Sequence, residues 1–237
     1  MRGALAAELS EHGATRAVLA LAGSSRTVAI APAAEPIGRA RSLEDGPSRG
    51  ARSAWRYGAG VPLERLGDEH ADAVLAFEIN NRSYFARTIS DRGDEYFSEY
   101  PERHRALMAE QAAGVGAYHV LVDEHGSVVG RFNLYELHDG SAVVGYRVAE
   151  RVAGRDVATA GVRELCDLAA ERFGLRSLVA DVSDANGASR RVLEKVGFTP
   201  AGPTDVGGRP GTSFRLVLGD GPAPRGPRGT EASSRRP

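Results

Sequence analysis

A single cysteine, Cys166, in 237 residues excludes an internal disulfide and suits a reducing cytoplasm. No run of eighteen apolar residues exists, which excludes a membrane-spanning helix and argues against a membrane partner. Lysine is nearly absent: Lys195 stands alone among 30 basic residues, a skew that reads as coding bias. A formal charge of −1 gives no general pull toward nucleic acid or an anionic membrane. The phosphate-binding patterns G-x-G-x-x-G and G-x-x-x-x-G-K-[ST] do not occur, which disfavours Rossmann and P-loop readings. No Cys/His/Asp cluster has metal-ligand spacing, so no metal is expected, and there is no internal repeat.

The chain does hold enough apolar sequence, 42%, for one medium domain with tails. Residues 1–56, rich in Ala, Arg, Gly, Ser and Pro, are expected to be a disordered or weakly structured leader, because the apolar pieces 17–22 and 28–31 are too short to found a core. Glu8, Glu11 and Arg16 interrupt what would be a signal-peptide apolar region. Arg39, Arg41, Arg49 and Arg52 offer an RNA or ribosome contact, offset by Glu35, Glu44 and Asp45. The domain is expected over 57–218, followed by a Pro/Gly/Arg/Ser tail over 219–237.

Residues 141–198 organise the domain. Residues 142–149 are apolar and β-branched, and Ala158, Val162, Leu165, Cys166 and Ala169 then recur at helical steps until Gly174. A second strand follows at 177–182. Two strands joined through a helix lie parallel with a right-handed crossover, so the loop 150–155 opens at the carboxyl end of the first strand, where an open sheet binds ligands. In that loop, Arg151-Val152-Ala153-Gly154-Arg155-Asp156-Val157-Ala158 presents backbone N–H groups at a helix start, a position that suits a phosphate.

The other elements follow in order. A strand over 57–66 leads into Asp68 as N-cap and a helix to about Asn80, with Ala71, Val74, Leu75 and Glu78 on one stripe. A second helix is predicted over 96–113. An antiparallel meander over 117–122, 127–137 and 142–149 follows, and closing strands at 198–202 and 212–218 complete a mixed sheet.

The R-x-x-G-x-D-x-A loop after a strand, with N-x-x-S-x-x-V-L-E-K-V-G-F beginning at Asn186, resembles the acetyl-CoA signature of the GNAT N-acetyltransferases. Within them the chain is most similar to the Rim-type, ribosomal-protein N-terminal acetyltransferase branch, through Asn80-Asn81-Arg82-Ser83-Tyr84-Phe85 and Gly130-Arg131-Phe132-Asn133-Leu134. The resemblance spans roughly residues 61–218. It implies an α/β (α+β) GNAT fold: a mixed, mostly antiparallel sheet with a parallel βαβ cofactor unit, flanked by helices. It also implies acetyl-CoA as cosubstrate and an amine acceptor, a protein N-terminus or a small molecule, attacked directly in a ternary complex by a monomer or homodimer.

The resemblance further implies that the backbone of Tyr146, Arg147 and Val148 pairs with the pantetheine arm. Arg151, Gly154, Arg155, Asp156, Val157 and Ala158 then surround the diphosphate. Asn186 is either a cofactor ligand or a plain N-cap, and Ser189 either donates to the leaving sulfur or caps the helix, since Leu193 replaces the tyrosine many relatives use. Tyr84, Phe85, Arg87, Asn133 and Tyr135 are candidate acceptor contacts, with a core role for Tyr84 and Phe85 as the other reading. Val143 stands where relatives carry a glutamate base, leaving Glu136, His138 or His119 as substitutes. Asp156, where relatives carry Gly or Ala, places a carboxylate beside the diphosphate. Cys166 reads as buried packing. These two departures keep a second reading open, a catalytically degenerate domain that binds acyl-CoA as a sensor or partner module.

Overall fold

The computed structural model describes residues 62–219 in full and, before them, the backbone of a two-stranded hairpin, β1 (Arg16–Leu21) with β2 (Ser24–Ala29). The expectations for the rest of the leader and for 220–237 fall outside the described residues. Of the strand expected over 57–66, residues 57–61 also fall outside, and within 62–66 only Glu64–Arg65 form a strand, β3.

Asp68 is not an N-cap. It lies inside a short 3-10 turn, Asp68–His70, because Gly67 takes the extended capping position at φ −130°, and the Gly67 N–H donates to His70 Nδ1 at 3.0 Å. Helix α1 (Ala71–Asn80) follows, then the single turn α2 (Arg82–Phe85). The helix predicted over 96–113 is two helices, α3 (Asp94–Ser98) and α4 (Tyr100–Ala113), broken at Glu99. Pro101 is the reason: it has no N–H to continue a ladder begun in α3, and it is tolerated only in the first turn of a new helix. Gly114, at φ +73°, ends α4.

The meander is β4 (Ala117–Val122), β5 (Val128–His138) and β6 (Ser141–Val148). Helix α5 (Val157–Glu171), β7 (Ser177–Ser183), α6 (Gly187–Val196), β8 (Thr199–Asp205) and β9 (Pro210–Val217) complete the described elements. The seven strands lie in the order β3-β4-β5-β6-β7-β9-β8, antiparallel except where β6 meets β7 in parallel. Among the described residues no helix is long and apolar enough to cross a membrane.

Alternation gives the sheet two unlike faces. Phe132, Leu134, Val144 and Tyr146 point to α5, where Gly161 makes room: a Cβ there would come within 2.2 Å of the Phe132 ring. The opposite face carries Tyr118, Arg131, Asn133, Tyr135, Val143, Gly145 and Arg147, with α1 and α4 packed over its β4–β5 part.

His119, paired with Phe132 and 2% exposed, shares the α5 face. Burial holds its imidazole down to about 4, whereas the unfolded chain takes up that proton near the ordinary value of about 6.5. Stability is therefore lost as pH falls from about 6.5 toward 4, by on the order of 2–3 kcal/mol. Urea unfolding at several pH values should show this slope, and His119→Gln should flatten it relative to the parent.

Candidate active site

The parallel ladder between β6 and β7 runs for three pairs only, Ser141↔Ser177, Ala142↔Leu178 and Val143↔Val179. Beyond Val143 the strands part, and β6 continues to Val148 with no ladder partner on that side. A strand edge with unpaired amide groups is a template for any extended chain that carries amides of its own. Tyr146, Arg147 and Val148 lie on that edge.

At the wide end of the opening, a 3-10 turn (Glu150–Val152) leads to Gly154 at φ +73° and into α5. The α5 ladder starts with Ala160 N–H donating to Asp156 O, so the N–H groups of Val157, Ala158 and Thr159 have no acceptor within the helix. A Cβ at Gly154 would meet nothing within 4 Å, which leaves the loop open to a bulky anion. Arg155 is exposed, while Arg151 is turned aside to Asp123 at 2.8 Å. Asp156 adopts φ +57°, a left-handed conformation that favours glycine. Its carboxylate pairs neither with Arg151 nor with Arg155 but with Lys195 of α6, at 3.0 Å. The single lysine thus neutralises the misplaced acid.

Across the opening, Asn186 caps α6, its Oδ1 accepting from the Ser189 N–H at 3.1 Å. Ser189 Oγ lies 2.8 Å from the Tyr146 hydroxyl, which also approaches the Ser189 carbonyl at 3.2 Å. This contact, joining β6 to α6 across 43 residues of sequence, is invisible to any local pattern. Leu193, one turn further along α6, is buried in the core.

On the opposite face the Asn133 amide donates to the Tyr135 hydroxyl at 2.8 Å, and Asn133 Oδ1 is buried without a hydrogen-bond partner among the described residues. Gly145 lets the Tyr135 ring cross the strand: a Cβ there would stand 2.7 Å from it. Phe85 is buried against Phe77 and under the Arg147 guanidinium, 4.9 Å from the ring. Tyr84 is half-buried beneath Arg87, which pairs with Glu150 at 3.0 Å.

Sequence reasoning missed Glu78. It is 1% exposed, between Arg131 Nη1 at 2.7 Å and Arg147 Nη1 at 2.9 Å, with Arg92 Nε at 3.7 Å. The available signal was a carboxylate on the apolar stripe of α1.

The four groups weighed around the missing base separate clearly. Val143 faces the Asn133 side. Glu136 sits at a bulge, φ +52°, where the β5–β6 register slips between Tyr135 and His138, so counting along the strand no longer assigns it a face. His138 is exposed and paired with Asp139 at 3.5 Å. His119 is on the far face. Cys166 is buried and its thiol is pushed up to about 12 by burial, which removes it as a nucleophile. Among the described residues no His/Cys/Asp/Glu group could hold a metal ion.

A strand edge, a helix N-terminus with free N–H groups and an open glycine loop together fit a long, amide-bearing ligand that ends in a diphosphate. A family model described as an acetyltransferase (GNAT) domain matches residues 61–199. The chain is 28% identical over 138 residues to the probable N-acetyltransferase YjcK of Bacillus subtilis, covering 56% of this chain and 76% of that one. Among solved structures it resembles a ribosomal-protein-S5-alanine acetyltransferase from Vibrio fischeri, with TM-score 0.63 and 17% identity over 68% of this chain and 94% of that one. Mycobacterium smegmatis RimJ in complex with CoA-disulfide is similar, at TM-score 0.60 and 23% identity over 65% and 80% of the two chains. A spermidine N-acetyltransferase from Vibrio cholerae with CoA and spermine follows at TM-score 0.56 and 15% identity over 67% and 96%.

Proposed function

The chain belongs to the GNAT acetyltransferase family, with acetyl-CoA as its acyl donor, and we propose on that premise that it acetylates a primary amine, a protein N-terminus or a small-molecule amine, by direct attack in a ternary complex. The observation that carries this reading is the parting of β6 from β7 after Val143↔Val179, directly beside the free N-terminus of α5.

Each part of the site has a task in such a transfer. The thioester supplies an activated acetyl group. The β6 edge from Tyr146 to Val148 aligns the pantetheine arm, and its N–H groups polarise the carbonyl. The N–H groups of Val157, Ala158 and Thr159 hold the diphosphate. Ser189 donates its hydroxyl proton toward the departing sulfur, held in position by Tyr146. The amine comes from the face of Asn133 and Tyr135, and no protein nucleophile is required.

Incubation with acetyl-CoA and a panel of amines and N-terminal peptides tests the reading. Free-thiol release together with an acetylated acceptor, detected by mass, is the expected result. The second reading, a domain that only holds acyl-CoA, is favoured by Val143 at the base position. Saturable binding of acetyl-CoA with no turnover on any acceptor would establish it instead.

Asp156→Gly should tighten acetyl-CoA binding about 2- to 10-fold. It removes a carboxylate beside the diphosphate, gives the left-handed position a residue that takes it without strain, and frees Lys195 to face the phosphates. Titration calorimetry showing unchanged or weaker binding would refute the repulsion.

A further inference from the structure

The incoming amine must lose a proton on the face from which it arrives, and Val143 takes none. The parallel register supplies a carboxylate close by. Because Val143 pairs with Val179, their side chains share a face, and two residues further along β7 Asp181 lies on that face too. Continued pairing would have set Asp181 opposite Gly145, but the strands have already separated there, so Asp181 stands on the β7 wall of the opening. Gly145 contributes no side chain of its own on the opposite wall, where the Tyr135 ring lies.

Access favours the same place. Helices α1 and α4 cover this face over β4 and β5. It is open over the 177–179 end of β7, next to Asp181: Arg215, which pairs with Val179, and Val217, which pairs with Ser177, are both exposed. Asp181 itself is half-buried and pairs in register with Ser213. Of the other carboxylates that alternation and packing bring to this face, Glu78 is committed to Arg131 and Arg147, Glu110 accepts from the Tyr118 hydroxyl, and Glu64 lies at the β3 edge, 3.6 Å from His70.

We propose that Asp181 is the general base of the acetyl transfer, accepting the amine proton directly or through one water molecule. The inference rests on the acetyltransferase reading. The alkylammonium gives one proton to the Asp181 carboxylate, and the neutral nitrogen then forms its bond to the acetyl carbon and sheds its second proton to water. The carbon–sulfur bond breaks with its electron pair going to sulfur, which takes a proton from Ser189; Ser189 regains one from solvent, and Asp181 returns its proton to solvent.

The test is Asp181→Asn in the full chain, with thiol release followed on two acceptors: a strongly basic alkylamine and hydroxylamine, which is already neutral at assay pH. With the alkylamine kcat should fall about 10²-fold, the scale of a lost general base, while the acetyl-CoA dissociation constant measured by calorimetry stays within about 2-fold. With hydroxylamine the deficit should shrink to less than about 10-fold. Asp181→Glu, which restores a carboxylate, should recover part of the rate and guards against a folding defect in the asparagine variant. Activity of Asp181→Asn within about 3-fold of the parent, or an equal loss on both acceptors, would overturn the proposal. So would a loss that follows Glu136→Gln and spares Asp181→Asn. A parent protein that binds acetyl-CoA yet acetylates neither amine would remove the acetyltransferase reading as well, so the two failures are distinguishable.

Discussion

Glu78→Gln is expected to destabilise the fold by about 3–5 kcal/mol, the scale of breaking a buried ion pair from one side. The carboxylate is 1% exposed, and each oxygen is engaged: Oε1 by Arg131 at 2.7 Å, Oε2 by Arg147 at 2.9 Å. Glutamine keeps the shape but removes the only negative charge among three guanidiniums. Aromatic faces offset part of this, with Arg147 over Phe85 at 4.9 Å and Arg92 over Tyr96 at 4.3 Å. Burial by itself would raise the Glu78 carboxyl. Arg147, Arg131 and Arg92 together outweigh it and bring it down to about 2. The folded value is lower than the unfolded one, so this stabilisation is present above about 4.5 and is lost as pH falls toward 2. Denaturant unfolding of parent and variant at pH 7 and pH 3 measures both effects, and the gap between the two proteins should narrow at the lower pH. A variant within about 1 kcal/mol of the parent at pH 7 would show that the cluster is not an ion pair in solution.

Ser189→Ala should lower kcat about 10²-fold with little change in acetyl-CoA affinity, as expected for a donor used only as the sulfur departs. Tyr146→Phe should lower it about 10-fold. Burial pushes the Tyr146 phenol up to about 12, so it remains a protonated donor at any working pH. Its contact with Ser189 Oγ at 2.8 Å, beside its donation to the Ser189 carbonyl at 3.2 Å, fixes where the serine hydroxyl sits. Phenylalanine keeps the ring stacked on Phe132, 6.3 Å between centroids, so only the hydroxyl is lost. If Tyr146 works through Ser189, the double variant is no slower than Ser189→Ala alone. Multiplying losses in steady-state kinetics would assign Tyr146 a separate, packing role.

What could be read from the sequence was local. The alternation of β4, β5 and β6, the helical stripe of α5 and the glycines after α4 and α5 depend on neighbours a few residues apart, and those elements lie where the pattern places them. The break at Glu99 was legible too, since Pro101 announces it. What could not be read is long-range. Nothing in residues 141–148 or 177–183 says that their ladder stops after three pairs, nor that Tyr146 meets Ser189 or Lys195 meets Asp156. Glu78 and Asp181 each appear as one acid in an apolar segment. Only the packed sheet shows that the first is locked among arginines while the second borders the cleft.

The three-pair seam also has a mechanical side. Four strands lie to one side of it and three to the other, and between β6 and β7 a run of three residue pairs carries the sheet's continuity. So short a joint leaves the rest of the bridging to α5, which packs on β5, β6 and α6, and a guest seated between the parted strands adds a second rivet to the seam.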